Sequence, residues 1–206
     1  MTVTDLPGAT LRTVHVSTMD NACYLLTCSA TGAQLLVDAA DDAPALLGLV
    51  SAGSGRLDMV VTTHQHWDHH RALADVVAAT GARTAAGAED ADALPVAPDE
   101  RLTHGDTVVV GDLSLGVVHL RGHTPGSVAL VWRDAGGGTH AFTGDSLFPG
   151  GPGRTTNPGD FNSLMDDLEA RVFTLPDETK VYPGHGEGTT LGTERPHLQE
   201  WRERGW

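Results

Sequence analysis

The sequence predicts an α+β fold in which two β-sheets pack together and helices lie outside them. Strand-like segments fall into two blocks, and each block leads into segments with helical periodicity. The length of 206 residues is that of one ordinary domain, and no long linker, solenoid-type repeat or low-complexity run divides it. Residues 1–206 are therefore expected to form a single domain.

In the first half, residues Leu11–Val16, Ala22–Thr27 and Gln34–Asp38 carry apolar or β-branched side chains between turn signals, which marks strands. Residues Asp41–Ser51 fit a helix that starts near Pro44. The run LDMVVTTH is short and apolar, as a buried strand requires. The period then changes. In HRALADVVAATG, Leu73, Val76, Val77 and Thr80 recur at helical spacing, and Gly81 stands where a helix can stop. The next stretch, ARTAAGAEDADALPVAP, is Ala- and Pro-biased and is assigned no element. The second block has strands over Thr107–Val110, Leu113–Leu120, Ser127–Trp132 and Thr139–Thr143. The helix FNSLMDDLEARVF then places Phe161, Leu164, Met165 and Leu168 on one stripe, and KVYPGH supplies a last short strand.

Composition narrows the function. With 40% hydrophobic and 19% charged residues the chain reads as globular. A net charge of −14 argues against nucleic acid as a partner, because binding phosphate needs basic surface; bound cations would offset part of it. No apolar run approaches the roughly 20 residues of a membrane helix. The amino terminus lacks the basic start and apolar stretch of a signal peptide, so the expected location is cytoplasmic and the expected partner a small molecule. Cys23 and Cys28 are too few for a disulfide framework. Five positions apart in one strand, they should point to opposite faces as core or surface thiols.

The chemical signal is concentrated. His64, His66, Asp68 and His69 follow the strand LDMVVTT directly, in a loop that can aim several side chains at one point. Imidazole nitrogen and carboxylate oxygen suit a divalent cation of borderline softness. Three further residues sit at strand ends: His123 in GHTPGS, Asp145 in FTGDSLF and His185 in VYPGHG. Glycines beside them allow close backbone approach. Any one of these could be an ordinary turn residue, but together they repeat one pattern, a ligand type at the end of a strand.

In this order and spacing, HQHWDH, GHTPGS, TGDSLF and YPGHG resemble the metallo-β-lactamase superfamily, specifically its glyoxalase-II-like hydrolase branch. The resemblance runs from Asn21 to about Glu194. It implies the family's four-layer αβ/βα sandwich and a site for two divalent metal ions, zinc first, with iron or manganese as alternatives. By that resemblance His64, His66 and His123 hold one metal, Asp68, His69 and His185 the other, and Asp145 bridges them. Asp38 matches a supporting aspartate of the family, with a plain turn aspartate as the alternative. The implied activity is hydrolysis of thioesters or related acyl compounds. The nucleophile is a metal-bridged hydroxide, its water's pKa lowered toward about 7, and Asp68 both binds metal and orients it. A thiolate leaves without needing a proton, which fits a site with no evident general acid.

The sequence also departs from the family's hydroxyacylglutathione hydrolases. Those carry an extra helical segment for glutathione, whereas 21 residues follow His185 here. The Gly-Pro-Gly-Arg run puts Arg154 where that branch has a basic substrate contact, so Arg154 either pairs with a substrate carboxylate or is a surface-loop arginine. His70 is expected to lie beside the cluster without being a ligand. A mononuclear iron persulfide dioxygenase, which shares these motifs, is the alternative activity. A β-lactamase fits less well, because Asp145 in the TGD position is typical of the other branches. A non-catalytic metal protein also fits less well, because a structural site usually has four ligands around one metal.

Overall fold

The computed structural model describes residues 1–205. The first sheet contains β1 (Thr2–Leu6), β2 (Ala9–Val16), β3 (Asn21–Cys28), β4 (Gln34–Val37), β5 (Met59–Thr62), β6 (Arg83–Gly87) and β7 (Glu100–Leu102), side by side in chain order. The hairpin-linked strands β1 to β4 are antiparallel, and β4 to β7 are parallel. Parallel neighbours need crossovers, and helices α1 (Ala43–Ala52) and α2 (Leu73–Thr80) supply the first two. The second sheet is built from β8 (Thr107–Val110), β9 (Leu113–His119), β10 (Val128–Arg133) and β11 (Thr139–Gly144). A small hairpin of β12 (Leu147–Phe148) and β13 (Gly151–Pro152) follows, and then β14 (Lys180–Pro183) and β15 (Thr189–Thr190) complete the second sheet. Helix α3 (Pro158–Asp167) continues into a wider π turn over Leu168–Val172, and α4 (Leu191–Glu194) and α5 (Leu198–Arg204) close the described chain.

Burial divides into three apolar layers, which is what a four-layer sandwich requires. Leu26, Leu35, Val61, Leu115, Leu130 and Phe142 meet between the sheets. Leu25, Leu36 and Val60, on the opposite face of the first sheet, pack under Leu46, Leu49, Leu73 and Val76 of α1 and α2. Leu120 and Ala129 of the second sheet pack under Phe161, Leu164, Met165, Leu168 and Trp201. The strand period of two separates the cysteines as expected: Cys23 lies on the helix side and Cys28 between the sheets, both as buried free thiols.

Helix boundaries follow local chemistry. Asp42 accepts a hydrogen bond from Ala45 N before α1, and Asn157 accepts one from Asp160 N before α3, each with a proline in the first turn. Gly81 ends α2 at φ 67°, the left-handed region that glycine tolerates. Several elements were not anticipated: β1, β6, β7, the β12–β13 hairpin, β15, α4 and α5. Strand β6 reads RTAAG and has no run of large β-branched residues. Its extension comes from parallel pairing with β5 and from Asp99, which accepts Thr84 N at 2.8 Å.

Candidate metal centre

The loops after β5, β9, β11 and β14 converge, and they bring together all seven residues singled out in the sequence. The potential ligand atoms form three overlapping groups: His64–His66–His123, His64–His69–Asp145 and Asp68–His69–His185. His64 and His69 stand at the centre, with ring centroids 4.1 Å apart. Asp145 lies between the two outer groups, 3.6 Å from His123 Nε2, 3.3 Å from His69 Nε2 and 3.4 Å from His185 Nε2. Gly153 and Gly184 are needed for this closeness. A Cβ at Gly153 would collide with the Asp145 carbonyl, and one at Gly184 with the Asp145 carboxylate.

Hydrogen bonds outside the cluster set the direction of each imidazole. His69 Nδ1 is 2.9 Å from Asp38 Oδ2, His123 Nδ1 is 2.7 Å from Arg154 O, and His185 Nδ1 is 2.7 Å from Met19 O. All three partners only accept, so each Nδ1 carries the proton and each Nε2 turns a lone pair inward. His69 Nε2 and His185 Nε2 then face one another at 3.1 Å. Two lone pairs at that separation call for a cation. The same need shows at His123 Nε2 and Asp145 Oδ1, which are buried and make no hydrogen bond. The donor set therefore fits divalent metal.

Electrostatics show the same demand for positive charge: burial opposes it at His69, but Asp38 and Asp145 outweigh burial and raise His69 to about 10, and Asp145 also raises His185. Burial first, then the neighbouring His69, hold His64 well below the ordinary imidazole range, and burial also lowers His123, so both are neutral donors. Burial would raise Asp145, but His185 and His69 outweigh it and keep the carboxyl ionised far below the usual range. Burial opposes charge on Asp68 as well, yet the hydrogen bond from Asn21 Nδ2, at 3.0 Å, lowers it on balance.

Residues outside the three ligand groups organise this centre: Asp38, which the sequence resemblance marks, and Asn21 and Asp90, which it does not. Asp38 accepts Thr63 N at 2.7 Å and Thr63 Oγ1 at 2.8 Å as well as facing His69, so one buried carboxylate orders both β5's loop and a ligand. Asn21, fully buried at the start of β3, touches Asp68 and lies 3.4 Å from His185 Nε2. Asp90 is equally buried. It accepts Gln65 N at 2.9 Å, Thr124 Oγ1 at 2.5 Å and Gly126 N at 2.7 Å, and so ties the His64–His69 loop to the His123 loop. Its only signal was an aspartate in an Ala-rich stretch. His70 turns away, with Nε2 3.0 Å from Gln65 O, as expected of a non-ligand. Arg154 is exposed beside His66 and His123, at the wall of a cavity of about 330 Å³.

The fold and the centre together define the class. The chain belongs to the metallo-beta-lactamase superfamily, which it matches over residues 18–185. Membership and the His and Asp clusters together indicate binding of divalent metal. The chain is 40% identical over 168 residues to hydroxyacylglutathione hydrolase from Fuscovulum blasticum, covering 81% of this chain and 62% of that protein. It thus spans 62% of the length of the curated relatives it matches. Among solved structures it is similar to ETHE1 from Myxococcus xanthus, with TM-score 0.79 and 32% identity over 91% of this chain and 82% of that one. It is also similar to TTHA1623 in a di-iron-bound form, with TM-score 0.76 and 33% identity over 89% and 96% of the two chains.

Proposed function

We propose that this protein is a metal-dependent hydrolase of thioesters or related acyl compounds that works with two divalent cations, zinc first among them. The observation that carries the reading is the second complete ligand group, Asp68–His69–His185, joined to the first through Asp145. The likeness to a di-iron-bound protein supports two metals, and the likeness to hydroxyacylglutathione hydrolases supports thioesters. Because both halves of the fold supply ligands, residues 1–206 act as one domain. A cytoplasmic location belongs to the same reading, supported by cysteines kept apart as buried thiols. No helix among the described residues is long and apolar enough to cross a membrane.

When bound, the metals supply a nucleophile at neutral pH and polarise the acyl carbonyl. The protein's own part is placement and charge. His64, His66 and His123 would hold one ion and Asp68, His69 and His185 the other, with Asp145 facing both groups. Asp68, kept ionised beside Asn21, directs the nucleophile with its carboxylate. Arg154 at the cavity wall steadies a carboxylate of the substrate. A thiolate leaving group departs without a proton, so no further acid is needed.

A second reading is a mononuclear iron persulfide dioxygenase, in which the group His64–His66–His123, complete by itself, would hold the metal. One experiment separates the two. Protein loaded with zinc should bind about two equivalents by native mass spectrometry and hydrolyse thioesters equally with and without oxygen. One equivalent of iron, oxygen uptake driven by a persulfide and no thioester hydrolysis would reverse the assignment.

A further inference from the structure

Two members of the Asp68–His69–His185 group are held from one short segment, residues 17–21, where β2 passes into β3. Asn21 Nδ2 donates to Asp68 Oδ2 at 3.0 Å, and His185 Nδ1 donates to Met19 O at 2.7 Å. Among the described residues, His64, His66 and His123 bond instead to Thr63, to one another and to the carbonyl of Arg154. One hydroxyl serves both contacts of the segment. Ser17 Oγ accepts Met19 N at 3.0 Å and gives its single proton to Asn21 Oδ1 at 2.6 Å. An ionised Asp68 only accepts, so the Asn21 amide must show it nitrogen and turn its oxygen to Ser17. With that oxygen tied down, the amide does not flip and set its own lone pairs against the carboxylate.

The backbone of the segment does not depend on this hydroxyl. Ala22 N donates to Gly184 O at 2.8 Å and Gly186 N to Asp20 O at 3.1 Å, so main-chain bonds alone lay residues 184–186 along the start of β3. Ser17 sits at φ 63°, in the left-handed region that favours glycine and strains other residues. Its side chain is exposed, so packing gives no reason for a serine there. Glycine would make the same turn with less strain. What serine adds is the hydroxyl.

We propose that Ser17 is a positioning residue for one metal of the pair. It fixes the Asn21 amide and the Met19 amide together, and so sets the affinity of Asp68–His69–His185 apart from that of His64–His66–His123. The proposal rests on the two-metal reading. Its test is stepwise calorimetric titration of zinc into the metal-free protein, for wild type, Ser17→Gly and Asn21→Ala. His185→Ala, which deletes a ligand of the group, identifies the step that belongs to it. Ser17→Gly should weaken that step by about 10- to 100-fold, the range for a partner that orients a ligand, and leave the other step unchanged. The melting temperature of the metal-free variant should not fall, because glycine relieves the strained φ. Asn21→Ala should weaken the same step. The double variant should lose less than the product of the two losses, because Ser17 acts largely through Asn21. Equal weakening of both steps, or weakening together with a lower melting temperature of the metal-free protein, would be general loosening and overturns the proposal. Two wild-type steps that Ser17→Gly leaves intact overturn it as well, and the two-metal reading then stands. A wild type that takes up zinc in one step of a single equivalent overturns both.

Discussion

Asp38 belongs to none of the three ligand groups, yet it orients His69 directly and holds Thr63, whose Oγ1 lies 3.0 Å from His64 Nδ1. Its carboxylate takes the Nδ1 proton of His69 and both Thr63 donors, and burial at 1% exposure leaves no water to replace it. The turn-aspartate alternative fits only partly: its φ of 58° is a turn conformation, but its side chain is committed to the site. Asp38→Ala should weaken metal affinity by about 10- to 100-fold, the range for a partner that orients a ligand; a competition titration with a chromogenic chelator measures it. Asp145→Ala should act more severely and lower bound metal and turnover together, by more than about 100-fold in rate, because its charge faces both ligand groups. Retention of full metal content and rate in that variant would remove the bridging role. His70→Ala should leave metal content unchanged, since its side chain turns away from the cluster to a backbone carbonyl.

At the scale of elements, the centre depends on ties between loops more than on any one strand. Asp90→Ala would release Gln65 N, Thr124 and Gly126 at once. Faster amide hydrogen exchange is expected in both the 63–70 and 121–127 loops, along with weaker metal retention. Exchange confined to one loop would show that the tie is not shared. Helix α3 is held differently. Its last residue, Asp167, is 3% exposed and takes two bonds from the Arg121 side chain, at 2.8 and 2.7 Å. Burial opposes the Asp167 charge, but Arg121 outweighs it and lowers the carboxyl below its ordinary range. A lowered folded-state pKa means that the stabilisation is fully present above about pH 4, the unfolded value, and is lost as pH falls through the folded one. Asp167→Asn should therefore cost about 2 kcal/mol at pH 7, below the range for fully buried pairs because Arg121 is half exposed. The gap between variant and wild type should narrow as the pH falls below about 4; urea unfolding at pH 7 and pH 3 checks both parts.

For the whole molecule, the two sheets meet through an apolar layer and, at one end, through candidate metal ligands drawn from both. Asp68 and His69 follow the first sheet's β5, whereas Asp145 and His185 follow β11 and β14 of the second. Metal should therefore brace the sandwich itself. Chelation should lower the melting temperature, and metal restored to about 100 times its dissociation constant should return about 2.7 kcal/mol for each site. An unchanged melting curve after complete metal removal would show that the sheets hold without it.

Much of this was written locally in the chain. The buried strands β2 to β5 and β8 to β11, the stripe of α3 and the stop at Gly81 depend on periodicity and turn chemistry within a few residues, and there expectation and structure agree within a residue or two. The seven residues that converge were equally legible, because a metal-ligating residue type at a strand end flanked by glycine leaves a short, dense signature. What the sequence could not show alone was anything created by distant partners. Strand β6 is extended because β5 lies beside it, and Asn21 and Asp90 matter because loops far along the chain end against them. A motif states which donors are present; the direction of each lone pair is set by the Asp38 carboxylate and the carbonyls of Met19 and Arg154, and only packing brings those to the imidazoles.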